Sequence, residues 1–454
     1  MAEHLQPRLT IGAECCLTGI SGELRNDLRR RLTIVNPKYQ AAKKYGRWIG
    51  RDLKPKLTFY REESDAVCFP RGFGNRAVLL CDEVMGRRPQ ITDNRRRLDE
   101  IGLTFHGRLR SYQAEAVEAV LSRTFGVLEA GTGSGKTVMA LKIIALRRQP
   151  TLIIVHSKEL LYQWCERIND FLRVEAGIVG DGRFELRPVT VAIVNTARRR
   201  MGDLPSRFGQ IIVDECHRVP ATLFTHVVSG FDSYYMLGLS ATAYRREDAT
   251  TRIIYFYMGD LLHSVDSRTL ERSGAVVKPE FIQRTTPFNY GFTGDYAKLI
   301  KALAADHGRN ELIVGDIAAV LADDHRGTIL VVSDRVAHCE ELARGLGRLG
   351  IDAVVLTGRT PPDKRGEIVS AVRDGEVDVL ISTLQLIGEG FDCPGLSTLV
   401  LATPIKFEGR LLQVVGRIMR PAMNKRARVI DYVDEKIPVL RRSAAARRNI
   451  FAAW

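Results

Sequence analysis

Residues Ala130 to Thr137 read AGTGSGKT: a Gly, four further residues, then Gly-Lys-Thr. Few stretches of eight residues restrict a fold more. Ahead of it, Phe125-Gly-Val-Leu-Glu129 is short and apolar enough for a buried strand, and behind it Val138 to Leu146 has helical spacing. The loop therefore joins a strand end to a helix start. There, glycines at 131, 133 and 135 let the backbone turn its N–H groups inward, and the helix N-terminus adds positive potential at the same spot. Such a loop cradles phosphate. Gly131, Thr132, Gly133, Ser134 and Gly135 would form the cradle, Lys136 would reach the β and γ phosphates of ATP, and Thr137 would hold Mg²⁺ through its hydroxyl.

From Leu109 onward, short buried-strand runs alternate with helices, at Thr151 to Val155, Val189 to Val194, Gln210 to Asp214 and Tyr235 to Leu239. Alternation of this kind means a parallel sheet covered by helices. A break near Ser267 to Pro287 and a helical stretch from Tyr296 to Ala322 precede a second series, at Thr328 to Val332, Ala353 to Leu356, Asp378 to Ile381, Thr398 to Leu401 and Ala427 to Ile430. The first hundred residues read differently. Glu14 to Ile20, Lys56 to Tyr60, Ala66 to Phe69 and Ala77 to Cys81 look like strands, and Gly22 to Leu32 and Pro37 to Trp48 look like helices. Arg87 to Arg97, with Pro89 and three consecutive arginines, reads as a linker. The fold class expected is thus α/β, two parallel-sheet domains in tandem with a small α+β N-terminal domain. The expected boundaries are 1–100, 101–268 and 269–454.

At 454 residues the chain exceeds one ordinary core, and it contains no apolar run long enough to cross a bilayer and no signal-peptide pattern behind Met1. An intracellular protein is expected. The eight cysteines show no Cys-x-x-Cys spacing, so they indicate neither a zinc ribbon nor a disulfide framework and read as small buried hydrophobes. The net charge of +14 is uneven. Residues 1–110 hold 22 Lys and Arg against 13 Asp and Glu, and residues 420–454 hold 9 against 3. Basic ends suit a polyanion, with nucleic acid ahead of an anionic membrane because no basic amphipathic helix with a large apolar face stands out. Between Arg29 and Trp48, Arg29, Arg30, Arg31, Lys38, Lys43, Lys44 and Arg47 mix with Tyr39, Tyr45 and Trp48. That mixture fits phosphate contact with base stacking, and equally an aromatic core with a solvated rim.

The second chemical anchor is Ile211 to His217, IIVDECH, an apolar strand ending in two carboxylates. Strands of an open parallel sheet end on one edge, so Asp214 arrives beside the phosphate loop, where it can hold Mg²⁺. Glu215 is then placed to orient and deprotonate an attacking water.

AGTGSGKT, DECH and Ser240-Ala-Thr242, in this order, resemble the motifs of superfamily 2 helicases of the DExH branch, whose two RecA-like domains close on ATP. The resemblance covers Leu109 to Asp431 and implies further roles. Arg110 and Gln113 lie in a stretch similar to the adenine-reading motif. Ser157, Thr196, Ser333, Thr357 and Thr383 fall in segments resembling the strand-gripping motifs, and Gly390 and Asp392 in one that touches nucleic acid and ribose. Gln413, Arg417 and Arg420 match the arginine-finger motif, with both arginines facing one cleft. His217, Ser240 and Thr242 would couple hydrolysis to domain motion. Arg246, Glu247 and Asp248 resemble a triplet that follows the same motif in XPB-type DNA helicases, a group that includes the phage relative UvsW. The resemblance implies sequence-independent binding of a DNA duplex or a single-strand/double-strand junction, in repair or recombination. An RNA helicase with the same motor, and an ATP-gated DNA-binding subunit that does not unwind, remain open alternatives.

Overall fold

A computed structural model describes residues 6–44, 48, 53–218, 222–241, 249–322, 327–387, 393, 395–405, 408–422 and 425–452. The chain forms two compact units, Met1–Ala130 with Gly135–Val265, and Gly131–Ser134 with Asp266–Trp454.

The first unit begins with β1 (Arg8–Ile11), β2 (Glu14–Thr18), β3 (Thr33–Val35), β4 (Lys56–Thr58), β5 (Arg61–Glu62), β6 (Val67–Pro70) and β7 (Gln90–Asp93). Five of them make a sheet in the order β5-β6-β2-β1-β7, and β3 pairs with β4 alone. Alternation orients β2, which buries Cys15 and Leu17 on one face. Helices α1 (Gly22–Arg31), α2 (Pro37–Lys44) and α3 (Gly74–Met85) accompany the sheet. The Ser21 hydroxyl caps α1 by accepting the Leu24 N–H at 3.2 Å, and Leu24 and Leu28 bury its inner face.

Three expectations for this region need correction. Ala77 to Cys81 is helical, within α3, where Gly74, Ala77, Leu80 and Cys81 face the core at spacings of three and four. An apolar run of five residues cannot by itself separate a strand from a buried helical turn. Arg87 to Arg97 is not a linker, because β7 extends the sheet beside β1 through backbone pairing alone, with all four side chains exposed. Beyond β7, Arg96 pairs with Asp232 at 2.9 Å, and the Arg95 and Arg97 guanidinium groups lie 4.4 and 3.8 Å from the Tyr234 ring centroid. Finally, Cys16 and Cys68 form a disulfide. They face each other across β2 and β6 although 52 residues apart, a register that spacing along the chain does not reveal.

Nor is this region a separate module. Its core takes in Ile253 and Phe256 from the helix Ala249–Met258. Arg71, only 2% exposed, donates to the Ser233 carbonyl at 2.7 Å. Gly72 sits so close to that helix that a Cβ would stand 2.4 Å from the Gly259 nitrogen and 2.5 Å from the Tyr255 oxygen. Only glycine fits there.

The larger sheet of this unit uses β8 (Phe125–Ala130), β9 (Thr151–Val155), β10 (Gly177–Gly180), β11 (Arg183–Glu185), β12 (Val189–Ile193), β13 (Gln210–Val213), β14 (Tyr235–Ser240) and β15 (Leu261–Val265). Their order is β11-β10-β12-β9-β13-β14-β8-β15, parallel except for the β10–β11 hairpin. Strands β9 and β13 are buried along their whole length, as expected of strands covered on both faces. Helices α4 (Ser111–Leu121), α5 (Lys136–Arg147) and α6 (Lys158–Leu172) belong to the covering layers.

The second unit holds β16 (Glu280–Thr285), β17 (Thr328–Ser333), β18 (Val354–Leu356), β19 (Val379–Thr383), β20 (Leu396–Leu401) and β21 (Arg428–Val433). They form an all-parallel sheet ordered β16-β21-β20-β17-β19-β18. Strand β16 lies inside the segment read as a break, and no residue of it is fully buried, so it carries no hydrophobic pattern. The stretch 296–322 is two helices, Tyr296–Ala305 and His307–Ala322, parted at Asp306, whose backbone is extended and whose carboxylate accepts the Arg309 N–H at 2.8 Å. Among the described residues, no helix is long and apolar enough to cross a membrane.

Candidate functional site

The phosphate loop runs from the end of β8 into α5. Gly133 and Gly135 adopt φ of 86° and 82°, the left-handed region where a side chain is strained, and Gly135 is the residue that starts the helix. Lys136 donates from Nζ to the Ala130 carbonyl at 3.0 Å, which folds its ammonium back over the loop. Thr137 follows in the first turn, half-buried. The geometry suits a phosphate chain, with left-handed glycines opening the backbone and a helix N-terminus and an ammonium at one place. Gln113 is buried at 7% exposure, and its Oε1 accepts the Arg110 backbone N–H at 2.9 Å. A Cβ on Gly135 would lie 2.4 Å from Gln113 Nε2, so this glycine also admits the glutamine to the loop.

Two strands away, β13 delivers Asp214 and Glu215 to the same edge of the sheet. Asp214 is 7% exposed. Its Oδ2 accepts the Trp164 indole N–H at 2.9 Å and its Oδ1 accepts the Glu215 backbone N–H at 2.9 Å. Glu215 has φ of 51°, rare for a residue with a side chain and costing about 1 to 2 kcal/mol. That turn directs the carboxylate to His217, whose Nδ1 lies 3.1 Å from Glu215 Oε2 and 3.3 Å from Ser240 Oγ. His217 thus links the end of β13 to the end of β14.

The two carboxyl groups are pushed apart electrostatically. Burial, then the neighbouring Glu215 charge, raises the Asp214 pKa, and only the Trp164 hydrogen bond, the Lys136 charge and the Glu215 N–H oppose this. For Glu215 burial also pushes upward, but the His217 hydrogen bond and the charges of Lys136, His217 and His156 outweigh it and hold the group well below the usual carboxylate range. Glu215 is therefore an ionised acceptor at neutral pH, able to hold a water by a hydrogen bond. Asp214 has no arginine at ion-pair distance among the described residues. Cys216, between them and His217, is a packing residue. It is fully buried, its thiol pKa is raised well above the ordinary value by burial, and its sulfur fills the space that a side chain at position 238 would need.

The strand-gripping candidates fall at the carboxyl ends of their strands. Ser157 follows β9 and caps α6, accepting the Leu160 N–H at 3.3 Å, and Thr196 follows β12. In the second unit, Ser333 and Thr383 end β17 and β19 and Thr357 follows β18. Ser157, Thr196 and Thr383 are half-buried and accessible. Thr357 is 4% exposed, with Oγ1 accepting the Arg359 N–H at 3.3 Å. Ser333 is fully buried, its Oγ 2.9 Å from His338 Nδ1 and accepting the Arg335 N–H at 3.2 Å. Its hydroxyl is engaged within the protein and shapes the loop.

On the helix Glu408–Ile418, Leu411, Leu412, Val414, Val415 and Ile418 are buried while Gln413 and Arg417 share the half-exposed face, with Arg420 two residues past its end. Thr242, Arg246, Glu247, Asp248, Gly390 and Asp392 lie outside the described residues. Trp164 is the participant that the sequence concealed. Leu161, Trp164, Ile168 and Leu172 form the buried stripe of α6 and read as core. The one available signal is that a buried indole N–H needs an acceptor.

Comparison with known proteins agrees with this geometry. The family described as "Type III restriction enzyme, res subunit" matches residues 106–245, and "Helicase conserved C-terminal domain" matches residues 313–422. The chain is 28% identical to "DNA 3'-5' translocase XPB2" of Sulfurisphaera tokodaii, over 72% of this chain and 82% of that protein. It is 27% identical to "DNA 3'-5' helicase XPB" of Kineococcus radiotolerans, over 69% of this chain and 57% of that protein, so it spans little more than half of that relative's length. Among solved structures, S. cerevisiae Dbp5 bound to RNA and ADP BeF3 superimposes with a TM-score of 0.56 at 15% identity, over 76% of this chain and 88% of that one, a likeness of fold.

Proposed function

As a member of the superfamily 2 helicases on the XPB-like branch, this chain is, we propose, an ATP-dependent DNA helicase or double-strand DNA translocase. One observation carries the reading: at the sheet edge where the phosphate loop ends its strand, Asp214 and Glu215 are held by an indole, a backbone N–H and a histidine, and among the described residues neither has an arginine at ion-pair distance. Such a pair is costly to keep unless a ligand uses it. Gly131 to Lys136 bind the phosphates of ATP, and Gln113 with Arg110 orients the base. Thr137 and Asp214 would hold Mg²⁺, which when bound supplies positive charge against the phosphate oxygens. Glu215 accepts a proton from the attacking water and His217 holds its carboxylate in line. Gln413, Arg417 and Arg420 match the arginine-finger motif, whose positive charge would stabilise the transferring phosphoryl group. His217 and Ser240, joined at the ends of β13 and β14, pass the loss of the γ-phosphate to the strand-gripping residues.

Contacts through Ser157, Thr196 and Thr383 position a backbone without reading bases, with buried Thr357 shaping its own turn, so binding is independent of sequence and sensitive to salt. Ser333 instead shapes the turn after β17, through His338 and the Arg335 N–H. The work fits an intracellular protein of DNA repair or recombination. The test is ATP hydrolysis with duplex DNA, forked DNA, single-stranded DNA and RNA offered in turn. Stimulation by DNA, with strand displacement from the fork or from a triplex, is expected. Stimulation by RNA alone would reassign the motor to RNA, and ATP-dependent binding without displacement of any strand would make it a gated clamp.

A further inference from the structure

The cations of the N-terminal region fall into two groups. On and around α1 and β5 they are neutralised within the protein. Arg29 makes a two-pronged bond to Glu62 at 2.9 and 2.8 Å, Arg31 and Arg30 share Asp27, and Arg61 reaches Glu14 at 3.0 Å. Where α2, β3 and β4 meet, Lys38, Lys43, Lys54 and Lys56 are all exposed. Among the described residues, none of these four has a carboxylate at ion-pair distance.

Two of these lysines are tied together by one buried side chain, and strand register brings a third beside them. Asn36, 5% exposed, donates from Nδ2 to the Lys54 carbonyl at 2.8 Å and accepts the Lys38 backbone N–H at 3.0 Å. Its own N–H donates to the Pro55 carbonyl at 2.9 Å, and Lys56 stands opposite Val35 in the β3–β4 register. The backbone is thereby locked so that like charges crowd one corner, which disfavours the free protein. A polyanion reverses that sign.

We infer that this corner is a second contact for DNA, holding the phosphodiester backbone through Lys38, Lys54 and Lys56, on elements other than the strand ends that carry Ser157 and Thr196. The inference rests on the reading of the motor as one that acts on DNA. Its mount is rigid. Gly72 packs against the helix Ala249–Met258, and Arg71 is bonded to the Ser233 carbonyl, just before β14. The corner therefore travels with the sheet that carries Asp214, Glu215 and Ser240.

The test replaces all three lysines in the full-length chain, Lys38→Gln, Lys54→Gln and Lys56→Gln together, and measures affinity for a labelled DNA duplex as salt is raised. Each phosphate contact contributes about 0.9 to the slope of log affinity against log salt, so the slope should flatten by about 2 to 3. ATP turnover at saturating DNA and the melting temperature should stay those of the wild type. Arg30→Gln, which removes a cation already paired with Asp27, should leave the slope alone. A triple variant with the wild-type slope overturns the inference while leaving the motor intact. A wild-type protein that binds no DNA at any salt overturns the motor reading, and this one with it.

Discussion

Buried carboxylates stand near the strand ends of both larger sheets, and the two sheets treat them in opposite ways. In the second unit each has its own arginine. Asp434 accepts from Arg309 Nε at 2.9 Å and from the Thr286 hydroxyl at 2.5 Å, and Asp431 accepts from Arg447 at 2.8 Å, with all four charged side chains between 0% and 2% exposed. In the first unit Asp214 has an indole N–H and a backbone N–H, while Glu215 has His217 and a left-handed backbone. A charge completed inside the chain is architecture, because breaking it leaves a buried ion exposed to a low dielectric. A charge left to weaker partners keeps its affinity for something from outside. The contrast separates a site from a brace without appeal to motif.

The comparison breaks if mutation fails to separate the two pairs. Glu215→Gln should lower ATP turnover by about 10²- to 10⁴-fold, the usual worth of a positioned base, with nucleotide affinity and melting temperature little changed. Arg309→Met should do the reverse. Leaving Asp434 buried and unpaired costs about 3 to 5 kcal/mol, read as a fall in the urea midpoint, and adding Asp434→Leu should restore part of that stability. If Glu215→Gln proved the more destabilising of the two, or if Arg309→Met left the midpoint in place, the distinction between site and brace would be lost.

What the sequence disclosed follows the same division. The phosphate loop and the Asp214–Glu215 pair were legible because their chemistry is local, fixed by a few adjacent residues between a strand and a helix. The central strands β9, β12, β13, β17 and β20 were legible as apolar runs. Edges were not. Strands β7 and β16 have no buried residue and are held by backbone pairing, which leaves no pattern to read. Pairings distant in sequence were equally hidden, among them Cys16 with Cys68, Trp164 with Asp214 and Gly72 with the helix Ala249–Met258. Arg29, Arg30 and Arg31 stood out in sequence as a basic run, yet their charges are neutralised within the protein. The scattered Lys38 and Lys54 are tied together by Asn36 and Lys56 is added by the β3–β4 register, and nothing in their spacing announces it.

The brace in the second unit extends to a neutral histidine, which sharpens the contrast further with the smallest effect. His338 is 1% exposed and sits between Asn310 Oδ1 and Ser333 Oγ, each 2.9 Å from a ring nitrogen. The amide oxygen can only accept, so Nε2 carries the proton and Nδ1 accepts from the Ser333 hydroxyl. Burial, then the Arg309 charge, pushes its pKa down to about 3. In the unfolded chain the ring takes up a proton near pH 6.5, as an ordinary histidine does. Between those values the unfolded state binds a proton that the folded state refuses, so stability is complete above about pH 6.5 and falls as pH is lowered, until the folded ring also protonates near pH 3. The loss is about 1.4 kcal/mol per pH unit, or about 2 kcal/mol at pH 5. His338→Gln should remove this dependence between pH 6.5 and 5 in urea midpoints, even if its stability at pH 7 is lower. A slope that survives the substitution would mean that the acid sensitivity of the second unit resides elsewhere, and that Ser333 is not held by a neutral ring.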